Sequence, residues 1–325
     1  MGRRWAIMGT GGIAVAFADA IVAEGGEVVA VSSATLERAT AFASRYPGMV
    51  GCAPHASVLD HTPEVVYVAT TNDRHHLDAL ACIEAGIPVL VEKPFALHAD
   101  LAREVLDRAR QARVLVAEAM WMRLQPGIER LHAELAAGTI GAPLMVEASF
   151  GVLLDPDPAR RWLSADLGGG AVLDLGVYPA TLAHDVLGPA LRVQATGVLA
   201  STGVDQRVAV ISDHGGGTAV WSCSFSEPTG VRASVTGPLG RIELHAPFHS
   251  PPALTLHDPE GWSRRIEVDG ADLAYRHEVR EMERCLTADL RESPRLPHAD
   301  TIAVMEVLDD VARQLHEPEH GRQPA

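Results

Sequence analysis

Three side chains of this sequence could together move a proton to or from a substrate oxygen: Lys93, Asp174 and Tyr178. A phenol becomes a useful acid or base when a nearby ammonium ion stabilises its phenolate and lowers its pKa from about 10. Such a pair can take the proton of an alcohol while a hydride leaves its carbon, or return a proton when a carbonyl is reduced. We therefore predict that Lys93 and Tyr178 form a catalytic pair, with Asp174 in the same motif as Tyr178.

Each of these residues also has a structural interpretation. Lys93 could be a surface lysine, although it closely follows an apolar run, Pro88–Val91, that is typical of a strand. Tyr178 could be a core tyrosine with a satisfied hydroxyl, and Asp174 could cap a helix. The position of Lys93 favours chemistry, because ligands bind at the carboxyl ends of parallel strands in open sheets.

The elements that must position these residues fall into two regions. Up to about residue 120, Val- and Ala-rich runs alternate with segments of helical period, which indicates an α/β unit with a doubly wound parallel sheet. The predicted strands are Trp5–Met8, Glu27–Ser32, Val65–Ala69, Pro88–Val91 and Val114–Ala117. The predicted helices are Gly12–Glu24, Leu36–Arg45, His75–Ala85 and Ala99–Ala112.

The second region consists of successive strand-like runs that Gly and Pro interrupt. This pattern predicts an α+β unit with a large, mostly antiparallel open sheet flanked by helices. Its predicted strands are Leu144–Val152, Leu191–Leu199, Arg207–Asp213, Thr218–Phe225, Val231–Thr236 and Arg241–Leu244, and its predicted helices are Tyr275–Ala288 and Ala299–His316. We expect residues 1–120 to form a cofactor domain and residues 121–325 a substrate-binding and oligomerisation domain, with a loose polar tail from Glu317.

A glycine pattern, Gly9-x-Gly11-x-x-Ala14, follows the first predicted strand and opens the first helix. The first glycine permits a tight turn, the second lets a pyrophosphate approach the backbone, and the small third residue lets the helix pack on the strand. The helix N-terminus also attracts phosphate charge. The pattern predicts a dinucleotide site with contacts from Gly9, Thr10, Gly11, Gly12 and Ile13.

The end of the second strand bears on the choice between NAD and NADP. NAD-binding folds usually place Asp or Glu there to grip the ribose hydroxyls, but this strand ends in Ser32-Ser33-Ala34. No carboxylate would therefore repel a 2′-phosphate, whose charge is about −1.5 to −2. Ser33 can donate a hydrogen bond and Arg38 can supply positive charge, so NADP is favoured. NAD is the alternative, with Arg38 as a solvated helix residue.

Small polar residues follow the third predicted strand, in Thr70-Thr71-Asn72-Asp73-Arg74-His75. They stand where ligands bind in open sheets, and they are also residue types that start a helix. We predict that Thr70, Thr71, Asn72 and His75 contact the cofactor. Further along, Arg161-Trp162 could reach a substrate pocket or simply pack and solvate a loop.

Composition excludes several classes of partner. The formal net charge of −15 would repel a nucleic acid. The four cysteines are far apart and fit a reducing compartment, and the histidines form no recognisable metal motif, so no metal is expected. No apolar run has the length of a membrane helix, and the run after Arg3-Arg4 stops at Gly9, too short for a signal core. We expect a cytoplasmic protein.

The chain resembles the glucose–fructose oxidoreductase, inositol dehydrogenase and rhizopine-catabolism (GFO/IDH/MocA) family of NAD(P)-dependent oxidoreductases. The resemblance runs nearly end to end. It rests on Gly9-Thr10-Gly11, Thr70-Thr71-Asn72-x-x-His75, Glu92-Lys93-Pro94 and Gly168-Gly169-Gly170-x-x-x-Asp174-x-Gly176-x-Tyr178. Glu118-Ala119-Met120-Trp121-x-Arg123 is similar to the branch of dimeric dihydrodiol and D-xylose dehydrogenases.

This resemblance implies a Rossmann domain followed by a domain whose open sheet pairs subunits into a homodimer or homotetramer. It implies that Glu92, Lys93 and Pro94 contact the cofactor, with a cis bond before Pro94. Lys93 would also bind the reacting oxygen, Tyr178 would be the acid/base, and Asp174 would orient the substrate or Tyr178. Trp121 would wall the substrate pocket, although it could equally be core. We predict Arg123 and Trp162 as further substrate residues.

Two functions are consistent with this reading. One is an NADP-preferring dehydrogenase or reductase acting on a sugar, a polyol or a cyclic dihydrodiol. The other is a non-catalytic sensor of dinucleotide with the same fold, which would have no need for an acid/base pair. Because Lys93, Asp174 and Tyr178 are all present, we predict the enzyme.

Overall fold

The computed structural model describes residues 2–317, and the first of its two sheets is a parallel sheet of six strands. Its strands are β1 Arg4–Met8, β2 Glu27–Ser32, β3 Val50–Cys52, β4 Val65–Val68, β5 Val89–Glu92 and β6 Val116–Ala119. The spatial order is β3-β2-β1-β4-β5-β6, with every pairing parallel. The order reverses between β1 and β4, which is where an open α/β sheet forms its ligand crevice.

Helices cover both faces of this sheet, as its sequence predicted. They are α1 Gly12–Ala23, α2 Leu36–Ala43, α3 His75–Glu84 and α4 Ala99–Ala112. All four residues of β4 and all four of β5 are buried, which explains why these strands are apolar without alternation, apart from Glu92 at the end of β5. The prediction of a doubly wound parallel sheet is confirmed. The short β3 was not predicted, because three residues at a sheet edge give no readable pattern.

The second sheet has eight strands in the order β14-β13-β12-β11-β7-β10-β9-β8. They are β7 Met145–Leu153, β8 Arg192–Leu199, β9 Asp205–Asp213, β10 Thr218–Ser224, β11 Ser226–Gly237, β12 Gly240–Leu244, β13 Ala253–His257 and β14 Ser263–Glu267. The β7–β10 pair is parallel and the other pairs are antiparallel, so the predicted mostly antiparallel sheet is confirmed. The β13–β14 hairpin was not predicted, because β14 is polar and largely exposed.

One face of the second sheet is covered by helices and the other is open. Strand β9 shows this directly, because Val208 and Val210 are buried while Ile211 is 50% exposed. The helices that follow the first region are α5 Pro126–Ala136, α6 Val177–Leu187, α7 Arg276–Thr287 and α8 His298–His316. We did not predict α5 and α6. Both helices carry a proline in the first turn. A proline is tolerated at that position, so it does not prevent the helix from forming.

The last helix, α8, returns to the first sheet and joins the two halves of the molecule. Its Thr301 hydroxyl donates to the Glu118 carboxylate at 2.8 Å, and Asp309 accepts a hydrogen bond from the Ala99 amide at the start of α4. Val304 and Leu308 lie on the buried side of this helix. Helix α8 thus packs against elements from before and after residue 120. The domain boundary at residue 120 stays a prediction. The tail beyond residue 317 lies outside the described residues.

Candidate active site

A cleft of about 760 Å³ opens at the carboxyl ends of the parallel strands and faces the second sheet's helices. It brings together most of the residues that the sequence singled out. They are Gly9, Thr10, Gly11, Gly12, Ile13, Ser33, Arg38, Thr70, Thr71, Asn72, His75, Glu92, Lys93, Trp121, Asp174 and Tyr178. Pro94, Arg123 and Trp162 are not among the lining residues.

The glycine turn between β1 and α1 is shaped to admit a pyrophosphate. Gly9 has φ of +113°, and a Cβ there would lie 2.1 Å from the Ala69 carbonyl oxygen, so a side chain cannot be accommodated. At Gly11 and Gly12 a Cβ would meet nothing within 4 Å, which means that their backbone faces open space in the cleft. The first turn of α1 contains no acidic residue to oppose the phosphate charge. These residues fit a dinucleotide.

Basic and hydroxyl side chains surround the end of β2. The Ser33 hydroxyl lies 3.1 Å from that of Thr10, and Arg38 lines the same part of the cleft with an exposed side chain. Sequence reasoning missed His55, which lines this end of the cleft and is held by the Ser32 hydroxyl at 3.2 Å. Burial lowers the pKa of His55. His55 follows β3, and the pairing of β3 with β2 brings it beside Ser32. Because β3 was not predicted, nothing in the sequence indicated that His55 lies in the cleft.

His75 fastens the two cofactor turns to each other. Its Nδ1 donates to the Pro94 carbonyl at 2.8 Å, while Nε2 lies 3.3 Å from the Thr70 carbonyl. Burial lowers the pKa of His75, which keeps the ring neutral. The Lys93–Pro94 bond is cis, as the family resemblance implied, and Pro94 is buried behind the cleft. Pro94 therefore supports the turn from behind.

Glu92 holds the base of the Lys93 turn. Its buried carboxyl accepts a hydrogen bond from the Lys93 amide at 3.0 Å and another from the Tyr67 hydroxyl. Burial raises the pKa of Glu92 above the ordinary value, while the neighbouring Lys93 charge opposes this rise. The carboxyl thus fixes the backbone from which Lys93 projects.

Lys93, Asp174 and Tyr178 meet in the cleft. The Lys93 ammonium donates to the backbone carbonyl of Asp174 at 2.8 Å and lies 5.0 Å from the centre of the Tyr178 ring. Asp174 lies in a π-helical turn, Val172–Gly176, that leads directly into α6, so it is not the helix cap that we considered. Lys93 is also the only lysine of the 325-residue chain.

The Asp174 carboxylate pairs with two other residues of the cleft. It accepts from the Asn72 amide at 3.3 Å and from both terminal nitrogens of Arg161, at 3.1 and 3.3 Å. Asn72 also donates to the Gly168 carbonyl at 2.8 Å. The carboxylate makes no hydrogen bond to Tyr178 within the described chain. Asp174 consequently orders the loop and neutralises Arg161, while its carbonyl oxygen holds Lys93.

Tyr178 is a buried phenol that keeps its proton. Its hydroxyl oxygen accepts a hydrogen bond from the Trp121 indole at 2.8 Å, and the residue is 6% exposed. Burial raises the pKa of Tyr178 well above 10, and the charge of Glu92 acts in the same direction. The expectation that Lys93 lowers this pKa is wrong, because desolvation of the phenolate dominates. The raised pKa means that the Tyr178 phenol is protonated at neutral pH, which is the form that could donate a proton.

Aromatic rings wall the cleft beside Tyr178. Trp121 packs against Tyr275 with ring centres 5.0 Å apart, and both residues line the cleft. His249 lies behind them, with its ring centre 5.1 Å from those of Trp121 and Tyr178. Tyr275 and His249 were missed because neither belongs to a motif: Tyr275 only begins the predicted helix Tyr275–Ala288, and His249 lies in an irregular segment.

Two predicted substrate residues lie outside this cleft. The Arg123 side chain is 9% exposed and pairs with Asp185 and Asp300, because a buried cation needs counter-charges. The Trp162 indole donates to the Asp155 carbonyl at 3.0 Å, and its neighbour Arg161 reaches the cleft instead. Arg123 and Trp162 thus have structural partners here.

The strand order, the glycine turn and the Lys93–Tyr178 pair define the class of protein: an NAD(P)-dependent oxidoreductase. Comparison with protein families agrees. Residues 3–120 match the model of an oxidoreductase family with an NAD-binding Rossmann fold, and residues 128–243 match the GFO/IDH/MocA C-terminal domain. The chain belongs to the GFO/IDH/MocA oxidoreductase family. The predictions of a dehydrogenase or reductase of CH–OH groups and of an NAD(P) cofactor are confirmed.

Characterised relatives align along the whole chain. The trans-1,2-dihydrobenzene-1,2-diol dehydrogenase of Bos taurus is 31% identical over 332 residues, covering 97% of both chains. The human enzyme of the same name is 29% identical over 333 residues, also with 97% of each covered. Within residues 2–317, no helix has the length and hydropathy needed to cross a membrane.

Solved structures share the fold. A 3-ketoreductase from Actinomadura kijaniata, in complex with NADP and TDP-benzene, superposes with a TM-score of 0.86 at 23% identity, covering 97% of this chain and 98% of that one. A levoglucosan dehydrogenase in complex with NADH and levoglucosan gives a TM-score of 0.86 at 18% identity, with 97% of both chains covered.

The glycine turn yields a test that separates folding from cofactor binding. Gly9→Ala should lower the free energy of unfolding by about 1–3 kcal/mol, because it forces a left-handed residue against a carbonyl. Gly11→Ala should leave stability unchanged and weaken NADP binding about tenfold, because its Cβ would occupy the phosphate's space. Thermal melts and calorimetric titration measure the two effects. Unchanged NADP affinity in Gly11→Ala contradicts the phosphate site.

The raised pKa of Tyr178 predicts a pH dependence for carbonyl reduction. A group with a raised pKa stays protonated as the pH rises, so the donor form of Tyr178 persists beyond about pH 10, its ordinary pKa. We expect kcat/KM for reduction to show no loss from Tyr178 between about pH 6 and 9. Tyr178→Phe should lower the rate about 10²- to 10⁴-fold. A loss centred near neutral pH that disappears in Tyr178→Phe would refute this account.

Proposed function

We propose that this protein interconverts a secondary alcohol and its carbonyl form on a sugar, a polyol or a cyclic dihydrodiol, with NADP as the favoured cofactor. The observation that carries the proposal is the meeting of Lys93 and Tyr178 over the cleft at the carboxyl ends of β1, β4 and β5. A sensor of dinucleotide would not need a buried phenol held by an indole beside an ammonium ion.

The charges of the cleft favour an uncharged substrate. Arg161 is engaged by both oxygens of Asp174, so it has no charge left for a substrate carboxylate. At that end of the cleft, among the described residues, Lys93 is the cation without an acidic partner, and it faces the reacting position. The rings of Trp121 and Tyr275 offer flat apolar surface, which suits one face of a ring-shaped substrate. The relatives' name, dihydrobenzenediol dehydrogenase, is consistent with such a substrate.

The proposed mechanism assigns each side chain a task. When bound, the dinucleotide supplies or accepts the hydride. Lys93 and Tyr178 bind the substrate oxygen between them. In reduction Tyr178 donates its proton to that oxygen while Lys93 stabilises the developing negative charge, and in oxidation the proton returns. The Trp121 indole holds the phenol in place, and the Asp174 carbonyl holds the ammonium.

Replacing the lysine tests the proposal. Lys93→Met should lower kcat by about 10²-fold or more on any sugar, polyol or dihydrodiol that the wild type turns over, while NADP affinity falls only modestly. Lys93→Arg keeps the charge but not the geometry, and we expect it to be nearly as slow. Steady-state kinetics and calorimetry make the comparison.

The uniqueness of Lys93 adds a readout that is independent of turnover. An amine-directed reagent can modify only Lys93 and the amino terminus, and NADP with substrate should protect Lys93 from it. Mass spectrometry measures how much of Lys93 is modified with and without these ligands. Normal turnover in Lys93→Met, or equal labelling of Lys93 with and without ligands, would contradict the proposed role of Lys93 at the substrate oxygen. Micromolar NADP binding with no turnover on a broad panel would favour the sensor.

The preference for NADP is proposed from the residues around Ser33. Arg38 has no ion-pair partner among the described residues, and Arg74 brings a second positive charge to this end of the cleft, whereas burial lowers the pKa of His55 and favours its neutral form. Arg74 is itself paired with Asp78 at 2.7 Å, so Arg38 is the cation free to meet a 2′-phosphate. No acidic side chain ends β2, where an NAD-specific site would carry one.

This preference is testable with a matched pair of variants. Arg38→Ala should weaken NADP binding about tenfold and change NAD binding little, because only NADP carries the 2′-phosphate. Arg45→Ala removes the same charge just beyond the same helix, outside the cleft, and should change neither affinity. Calorimetric titration with both dinucleotides gives the comparison. An equal loss for NADP and NAD in Arg38→Ala would refute phosphate recognition.

We also propose the remaining features of its organisation. The open sheet face exposes Val198, Ile211 and Val220, which supports a homodimer or homotetramer formed through this face, and light scattering would show it. The four cysteines are buried and free, in keeping with a cytoplasmic protein. We further propose residues 1–120 as the cofactor domain and residues 121–325 as the substrate and oligomerisation domain.

A further inference from the structure

The carbonyl of Asp174, which accepts from the Lys93 ammonium at 2.8 Å, belongs to a turn with a rare hydrogen-bond register. This turn, Val172–Gly176, is π-helical and leads directly into helix α6, which starts at Val177. A π-helical turn pairs the carbonyl of residue i with the amide of residue i+5, whereas an α-helix pairs it with residue i+4. The carbonyls at the junction of the two registers therefore need not all find a partner within the helix.

Pro179 removes a backbone donor that the Asp174 carbonyl would otherwise meet. In the π register this carbonyl would be paired with the amide of residue 179, and in the α register the Leu175 carbonyl would be paired with the same amide. Residue 179 is a proline, which has no N–H group. A carbonyl oxygen has two lone pairs, so even a bond from the Tyr178 amide would leave one for another donor. The place of the missing amide is thus open to the Lys93 ammonium.

Asp205 fixes the other end of this turn. Its buried carboxyl, at the start of strand β9 in the second sheet, accepts a hydrogen bond from the Val172 amide at 2.6 Å. Gly170 packs against the same carboxyl, since a Cβ at this glycine would lie 2.5 Å from Oδ1 of Asp205. The Asp174 amide in turn donates to the Gly170 carbonyl at 3.1 Å. Asp205 has no part in the mechanism above, yet it anchors the backbone that presents the Asp174 carbonyl.

We propose that Pro179 and Asp205 are positioning residues for Lys93. Asp205 holds the start of the π-helical turn against the second sheet, and Pro179 keeps the Asp174 carbonyl free to accept from the ammonium. Lys93 follows a strand of the first sheet, but the contact that holds its ammonium is thus set from the second sheet. This inference rests on the proposed function and adds to it two residues that do not line the cleft.

The first test gives residue 179 an amide. In Pro179→Ala the new N–H competes with the ammonium for the Asp174 carbonyl, so kcat should fall about tenfold while the substrate KM and the NADP affinity stay unchanged. Lactic acid incorporated at position 179 has the side chain of alanine but an ester in place of the amide, so it should restore kcat. Pro126→Ala changes the proline in the first turn of α5 and should leave kcat unchanged. A loss of kcat that persists with the ester would overturn the role of Pro179.

A second set of variants tests Asp205. Asp205→Ala leaves the Val172 amide without its acceptor and should lower kcat about tenfold, whereas Asp205→Asn keeps an acceptor oxygen and should recover most of the rate. If Asp205→Ala does not fold, Asp205→Glu, which keeps the carboxyl but displaces it, should show the same loss. Asp213→Ala is the matched control at the other end of β9, where Asp213 accepts from the Gly215 amide at 2.9 Å, and it should leave kcat unchanged. Normal kcat in Asp205→Ala, or an equal loss in Asp205→Asn, contradicts the role of Asp205.

A double-mutant comparison shows whether these effects pass through Lys93. In the Lys93→Met background, Pro179→Ala and Asp205→Ala should cause no further loss of the residual rate, because the group that they position is gone. A purely structural effect would lower the rate by the same factor in both backgrounds, and that result would overturn the inference.

Labelling of Lys93 separates this inference from the proposed function, because it needs no turnover. Lys93 is the only lysine of the chain, so an amine-directed reagent reports on it directly. Without ligands, labelling of Lys93 should be about threefold faster in Pro179→Ala than in the wild type, because the hydrogen bond that holds the ammonium is weakened. Pro126→Ala should label at the wild-type rate. Equal rates in the wild type and Pro179→Ala would overturn the inference, whereas failure of every substrate to react would count against the proposed function alone.

Discussion

The hydrogen bond from the Lys93 ammonium to the Asp174 carbonyl is the contact on which this site depends. It joins the end of β5 in the first sheet to the turn that starts α6 beside the second, across 81 positions of the chain. Because the acceptor is a backbone oxygen, this contact holds the ammonium without pairing it with a carboxylate, as the proposed role toward a substrate oxygen requires. The elements around it serve this contact: Glu92 fixes the turn from below, and His75 fastens that turn to the neighbouring one.

Desolvation sets the chemistry of the residues around that contact. Burial raises the pKa of Glu92 and Tyr178 and lowers that of His249, so each of these groups is pushed toward its neutral form. Lys93, whose ammonium donates to the Asp174 carbonyl, is the basic side chain of this group. That a chain with many arginines has one lysine, and that it stands here, agrees with a role that needs a compact ammonium and not a planar guanidinium.

Much of the first half could be predicted from sequence because its physics is local. Strands buried on both faces are read as apolar runs, and the glycine turn follows the first of them, so β1, β2, β4 and that turn could be located from the sequence. Lys93 and Tyr178 could also be singled out, because each belongs to a short motif, and the structure brings them together. The edge strand β3 was not predicted, because three residues are too few to show a periodic pattern. His55, which follows β3, was missed for the same reason.

The substrate end resisted prediction for a different reason. Its wall is assembled from segments that are distant in sequence, and neither Tyr275, at the start of a predicted helix, nor His249, in an irregular segment, belongs to a motif. Arg123 was expected in the pocket, yet burial forces it to pair with Asp185 and Asp300. The pKa of Tyr178 was misjudged because a sequence shows the neighbouring lysine but not the depth of burial.

The central claim is spatial, and a crystal structure of the chain with NADP and a cyclic diol tests it most directly. This account predicts that the ammonium of Lys93 and the hydroxyl of Tyr178 both lie within hydrogen-bond distance, about 2.7–3.2 Å, of one substrate oxygen, with the nicotinamide against the same carbon. A complex in which the nicotinamide separates Lys93 from Tyr178, or in which the diol binds elsewhere, would contradict it.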